Sequence, residues 1–337
     1  MLLAEKLAEP LRDLPPVEFA FSYGSGVFPQ PGDTGRPNLE KPMVDYILGV
    51  SCPAEWHSKN IEKNPHHYSS WLANFGGKWV SGVAENVGVG VHFNPFVQWK
   101  DKSIKYGVIS MDYLERDIST WNSLYISGRL QKPVCVLVDT AGLAKLNETN
   151  LEAALLSAML LAPPEFTEEE LYMKICGLSY LGDIRMLFAE DRDKVRKIVR
   201  GSLEKFQVLY KSAIHSAASS GLLELPTSSG THPQSKLVQR VDTASVCRMV
   251  SALPSNILQR LASQIGVTFE GRQSGMAVAE AVSQARDGHA KLLRKAIGGV
   301  VRCSSIRQVV SGLFAAGGVN AVHYVARKAS KAWQSRQ

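Results

Sequence analysis

The segment Tyr23-Gly24-Ser25-Gly26-Val27-Phe28 directly follows an apolar stretch and has the composition of a phosphate seat. Two glycines around a serine let backbone N–H groups approach an anion with no Cβ in the way, and the hydroxyl adds a donor. A ligand-free tight turn would use the same residues. Asp45 adds weight to the first reading. It stands alone in the apolar run Met43-Val44-Asp45-Tyr46-Ile47-Leu48, where a carboxylate is costly to bury unless it meets a cation. A cation held by Asp45 beside an anion on the bend would join the two features, with Asp45 as the metal ligand.

Further polar groups are candidates for the same site. In Trp56-His57-Ser58-Lys59-Asn60, followed by His66-His67-Tyr68, we expect His57, Lys59 and Asn60 to touch phosphate or base, with Lys59 and Ser25 joining Asp45 in catalysis. A solvated helix face is the alternative. Zinc is not indicated, because no cysteine accompanies these histidines and no HExxH is present. Arg129 offers a planar fork for phosphate oxygens and Lys132 a point charge, unless each is spent in a surface ion pair. Asp112 and Asp117 are the candidates for a second metal ligand, and Asp112 is the one assigned; a helix cap or a surface acid would explain either equally well.

The elements that must position these groups come in two styles. Val17–Tyr23, Met43–Val50, Val87–Phe93, Lys105–Ser110 and Val134–Val138 read as strands, with a Gly/Pro-rich loop at Phe28–Pro42 and helices at Asp112–Ser123 and Leu143–Leu161. Pro163-Pro164 breaks the chain, and Thr167 with Glu170 forms a capping box. Beyond it the reading is helical to Leu225, with a linker at Pro226–Pro233, and helical or flexible after that. The expected division is residues 1–162, an α/β domain; 163–235, a helical domain; and 236–337, a helical C-terminal region.

The formal charge is +7, and from Val282 onward ten Lys/Arg face one acid, Asp287. A negatively charged partner is therefore addressed by the C-terminal part. There Val322, Val325, Ala326, Ala329 and Trp333 recur at helical spacing beside Arg327, Lys328 and Lys331, as in a helix lying on an anionic membrane surface; a core-packing helix is the competing reading. No apolar run approaches the ~20 residues of a membrane span. The five scattered cysteines imply neither disulfides nor a zinc knuckle, and the acid-bearing N-terminus is unlike a presequence.

A Gly-Ser bend followed on the adjacent strand by a carboxylate resembles the polymerase-β-type nucleotidyltransferase fold, with two departures: Met43 and Ile47 stand where a second acid is usual, and the gap from Ser25 to Asp45 is longer than usual. YGSGVF, the strand with Asp45, His57–Asn60, Lys105-Tyr106-Gly107-Val108, Leu124–Val134, Leu178–Met186 and Ser304–Gln308 together resemble the mitochondrial translocator assembly and maintenance family, in order along nearly the whole chain. The resemblance implies a nucleotidyltransferase domain, a winged-helix-like second domain and a C-terminal membrane-contacting helix. It also implies CTP and phosphatidic acid as substrates, Mg²⁺ as cofactor, no nucleic-acid partner, a place upstream of cardiolipin, and a peripheral location on the matrix side of the mitochondrial inner membrane. Tyr23, Gly24, Ser25, Arg129 and Lys132 would hold the nucleotide. Asp183 and Arg185 would complete the lipid-phosphate site, unless they form a structural pair. Two rivals remain: a nucleotidyltransferase acting on RNA, which would bind RNA in a salt-sensitive way, and a non-catalytic translocase assembly factor, which would consume no CTP.

Overall fold

The computed structural model describes residues 3–29, 43–188, 193–226, 236–271, 274–286 and 288–316. The first part is built from α1 (Leu3–Ala8), β1 (Phe19–Tyr23), β2 (Val44–Val50), α2 (Pro53–Lys63), α3 (Ser70–Asn86), β3 (Val91–Trp99), β4 (Lys102–Ser110), α4 (Met111–Thr120), α5 (Ser127–Leu130), β5 (Cys135–Asp139) and α6 (Ala144–Leu160). Its sheet runs β3-β4-β2-β1-β5, with β2 and β4 parallel and the other pairs antiparallel.

β2 is apolar nearly throughout because the middle of this sheet is covered on both faces. Alternation sorts its side chains. Tyr46 and Leu48, with Tyr106 and Val108 of β4, pack under Trp56 of α2. Ile47 and Ile109, with Phe21 of β1, pack under Leu114 and Ile118 of α4. Asp45 precedes Ile47 by two residues and shares its face.

The second part comprises β6 (Glu165–Thr167), α7 (Glu168–Leu178), α8 (Arg185–Phe188), α9 (Lys194–Gly201), α10 (Leu203–Ser219), β7 (Leu223–Glu224), β8 (Lys236–Gln239), α11 (Thr243–Ser251), α12 (Ser255–Ile265), α13 (Gly275–Ser283) and α14 (His289–Ala316). A three-stranded sheet, β6-β8-β7, lies against α7 and α10, and α9 packs on those two helices. The Thr167–Glu170 capping box starts α7 as expected. One buried cluster joins Trp121 and α6 to helices as far along as α14, so the apolar core does not divide at Pro163-Pro164.

Two expectations shift. The third strand starts at Val91, not Val87, because α3 runs to Asn86 and Gly90, at φ +80°, turns the chain back. The short strand β6, paired with β8, was not anticipated. The basic helix expected at Val322–Trp333 lies outside the described residues, as does most of the Pro226–Pro233 linker.

Candidate functional site

β1 ends at Tyr23, and Gly24 takes φ +84° so that its carbonyl receives the N–H groups of Val27 and Phe28 at 3.1 and 2.9 Å. Strand register sets Tyr23 opposite Asp45. A Cβ on Gly24 would stand 3.3 Å from Asp45 Oδ2, and one on Gly26 would strike the Met43 carbonyl oxygen at 2.4 Å, so both glycines are needed for the bend to close over the carboxylate. The Asp45 side chain keeps 22% of its surface exposed, which leaves it reachable from the bend. Ser25 rides on the bend, half-buried.

On the neighbouring strand Lys105 is in register with Asp45, and its Nζ lies 3.5 Å from Asp45 Oδ1 and 4.5 Å from the centre of the Phe93 ring. The residue beside Asp45 is thus a cation rather than a second acid. Sequence reasoning noted Lys105 only as part of a motif; strand pairing was the signal that would have placed it.

A wall of cations faces this pair. Arg129 on α5 lies over the Tyr125 ring at 4.1 Å and the Tyr23 ring at 5.2 Å, and its Nη1 donates to the Tyr125 carbonyl at 2.9 Å. Burial works against its charge, but the Tyr125 and Tyr23 phenols outweigh it and push its pKa up. Conversely, burial would raise the Tyr125 phenol, yet Arg129, Arg185 and Lys105 together bring it down. Three cations therefore converge on one ring.

The loop that carries Tyr125 and Arg129 hangs on Asp117. This buried carboxylate accepts the backbone N–H groups of Ser123, Leu124, Tyr125, Ile126 and Ser127 and the hydroxyls of Ser123 and Ser127. So many donors satisfy a buried charge without a metal. Asp117 is an organiser of the site, and nothing short of the fold revealed that.

Arg185 is held in the same manner. Its backbone N–H, Nε and Nη2 all donate to the buried Asp183 carboxylate, Nη2 at 2.6 Å, and its guanidinium lies 5.9 Å from the Tyr125 ring. Arg185 thus faces the cleft while Asp183, with no exposed side-chain surface, aims it. This corrects the expectation that Asp183 meets a lipid phosphate directly. Ser304 and Ser305 of α14 lock the two loops together: Ser304 donates to the Ser123 carbonyl at 2.6 Å, and Ser305 accepts from Ile184 N at 3.2 Å.

Lys132 points across to the second part of the molecule, donating to Ser179 Oγ at 2.8 Å and to the Gly128 carbonyl. Its Nζ and that of Lys194 approach the Tyr180 ring to 5.3 and 5.6 Å. Burial pushes the Lys132 pKa down to about 8, with Arg129 and Lys194 adding to the effect against the opposing Cys176.

Other expected residues are elsewhere. His57 and Asn60 are fully buried on the opposite face of the sheet, behind Asp45 and Lys105. His57 Nδ1 is 2.8 Å from the Tyr68 hydroxyl, Asn60 Nδ2 donates to Tyr68 at 2.9 Å and Tyr106 at 2.8 Å, and Asn94 Nδ2 donates to Tyr106 at 2.9 Å. The Tyr106 hydroxyl also lies 2.8 Å from His67 Nδ1. These groups bond to one another on the far side of the sheet, with His57 Nε2 left unpaired among the described residues, and cannot meet a nucleotide in the cleft. Lys59 is exposed on the same helix, α2, and is likewise separated from Asp45 by the sheet. Asp112 is exposed in the first turn of α4, past the far end of β4; the strand from Lys105 to Ser110 alone spans roughly 16 Å, too far to share an ion with Asp45.

Among the described residues no three His, Cys, Asp or Glu side chains cluster to hold a metal. One accessible carboxylate beside an anion seat still fits Mg²⁺, which takes one or two carboxylates and completes its shell with phosphate oxygens and water.

Residues 7–331 match the family described as "Phosphatidate cytidylyltransferase, mitochondrial". Proteins of that name from Xenopus laevis and Mus musculus are each 35% identical, covering 95% and 94% of this chain and 91% of their own length. One from Schizosaccharomyces pombe is 34% identical over 95% of this chain and 81% of its own.

Proposed function

Since this chain belongs to the mitochondrial phosphatidate cytidylyltransferase family, we propose that it transfers CMP from CTP to phosphatidic acid, forming CDP-diacylglycerol and pyrophosphate. The observation that carries this is the Asp45 carboxylate beneath the Gly24 bend, faced by Lys105, Arg129 and Arg185.

The chemistry needs little more than that. A phosphate monoester is already anionic near neutral pH, so the lipid phosphate attacks the α-phosphorus of CTP in line with no general base, and pyrophosphate leaves with the bond's electron pair. Placement and charge neutralisation set the rate. The bend from Gly24 to Gly26, with Ser25, seats the outer phosphates. Arg129, stiffened between two phenol rings, and Arg185, aimed by Asp183, offset the charge on the transferring phosphoryl group; Lys132 and Lys194 extend the cationic surface toward the second substrate. Mg²⁺, with Asp45 as its protein ligand, would supply further neutralisation of the triphosphate. Lys105 pairs with Asp45 and holds its carboxylate at the mouth of the bend.

The first part is read as a nucleotidyltransferase domain, and the β6-α7-α9-α10-β7-β8 unit as a winged-helix-like domain closing the cleft. No described helix is long and apolar enough to cross a membrane. Peripheral attachment to the matrix side of the mitochondrial inner membrane through the basic C-terminal segment, and supply of the product to cardiolipin synthesis, complete the proposal. Incubating the protein with each nucleoside triphosphate, Mg²⁺ and phosphatidic acid vesicles tests it. Pyrophosphate should appear with CTP only when the lipid is present; release independent of lipid, or none with any triphosphate, refutes the assignment.

A further inference from the structure

The substrate proposed above is an amphiphile, and its headgroup site accounts for only half of it. At the β5 edge of the sheet, between that strand and helices α6 and α10, lies an open, apolar-lined groove of about 760 Å³. That is the size of a small-molecule site, ~300–1,000 Å³.

Its position relative to the cleft is set by covalent neighbours. Its lining includes Phe28, which follows the phosphate bend, and Leu130 and Pro133, each next in sequence to a cation of the site, Arg129 and Lys132. Lys205 of α10 covers the Phe28 ring at 5.3 Å, tying the groove to the second part of the molecule. β5 lies two strands from β2, a step of roughly 10 Å, so a lipid phosphate at the cations leaves its hydrocarbon within reach of the groove. Val136 and Val208 of the lining expose 48% and 78% of their surface, so the groove is open to solvent beside them.

The charges in the lining separate chain from headgroup. Asp139, Glu148 and Glu204 line the groove beside Lys205, so an anionic phosphate is repelled from it while a neutral chain is not. Resting on the cytidylyltransferase reading, we propose that this groove seats an acyl chain of phosphatidic acid during transfer, leaving the phosphate at Arg129 and Lys132.

Tryptophan at Ala144 or at Val208 fills the groove from exposed positions, where a larger side chain does not disturb the core. The full chain and each variant, A144W and V208W, are assayed for pyrophosphate release with dioleoyl and with dihexanoyl phosphatidate in the same detergent micelles, and for sedimentation with phosphatidic acid vesicles. KM for the long-chain lipid should rise about tenfold, the equivalent of two methylenes excluded at ~0.8 kcal/mol each. KM for the short-chain lipid, KM for CTP and vesicle sedimentation should stay put. Equal shifts for both lipids, or none, overturn the groove assignment, and a loss of sedimentation that tracks the KM change overturns it in favour of bilayer docking by this face. If the unaltered protein releases no pyrophosphate with either lipid, it is the cytidylyltransferase reading that fails.

Discussion

The two faces of the central sheet carry similar residue types and put them to opposite uses. On one, Asp45, Lys105, Tyr125, Arg129 and Arg185 keep net charge in a cleft that opens beside a flexible-φ bend. On the other, His57, Asn60, Tyr68, Asn94 and Tyr106 form a neutral, buried, mutually hydrogen-bonded network. Tyr46 and Tyr106 alternate with Asp45 and Lys105 along paired strands, so a single residue step separates chemistry from packing. Polar character does not distinguish function from structure here; strand parity does.

The largest expected effect breaks the first face. Asp45→Ala should lower cytidylyl transfer on the order of 10³-fold, with a nearly unchanged thermal midpoint, because its side chain is partly exposed and its ion pair with Lys105 is partly solvated. Asn60→Ala should do the reverse. It leaves the Tyr68 and Tyr106 hydroxyls short of a donor in a buried site, costing ~2–3 kcal/mol of stability, while the folded fraction turns over within about twofold of the original rate. Denaturant melts paired with pyrophosphate release separate the two outcomes, and a stability loss in the first variant or a rate loss in the second would undo the division.

Two pH effects sharpen the comparison. On the cleft side, burial holds Lys132 down at about 8, so transfer should decline above that pH as the ammonium loses its proton, and Lys132→Arg should move the alkaline limb upward. On the buried side, burial pushes His57 well below its ordinary range and His67 and His92 down to about 4. The unfolded chain then binds more protons than the folded one below ~6.5. Stability is fully present above that pH and falls as the solution is acidified toward 4, an effect measurable by urea melts across the range. His92→Asn should flatten this slope.

Much of the cleft was legible because its signals are local. The bend and the lone carboxylate in an apolar run need only a strand and a turn, and Arg129 and Lys132 stand near Tyr125 in the same short segment. What escaped depends on long-range geometry. His57, Lys59 and Asn60 follow Asp45 closely in sequence, yet α2 crosses to the other side of the sheet. Asp112 and Asp117 looked alike as helix acids, and only the fold shows that one is solvated while the other gathers five backbone N–H groups. Asp183 and Arg185 read as a shared site, whereas one serves to aim the other. Helix α3 was hidden by Gly76-Gly77, where Gly76 leaves helical geometry at φ 78° and Gly77 lies against the Ala54 carbonyl of α2.

Lysine reactivity measured with and without CTP, Mg²⁺ and phosphatidic acid tests most directly which face receives the substrates. Reductive methylation read out by mass spectrometry should show Lys105 and Lys132 protected by the ligands and Lys59 labelled to the same extent throughout. Protection of Lys59 with Lys105 and Lys132 unaffected would move the site to the opposite face of the sheet and contradict the account.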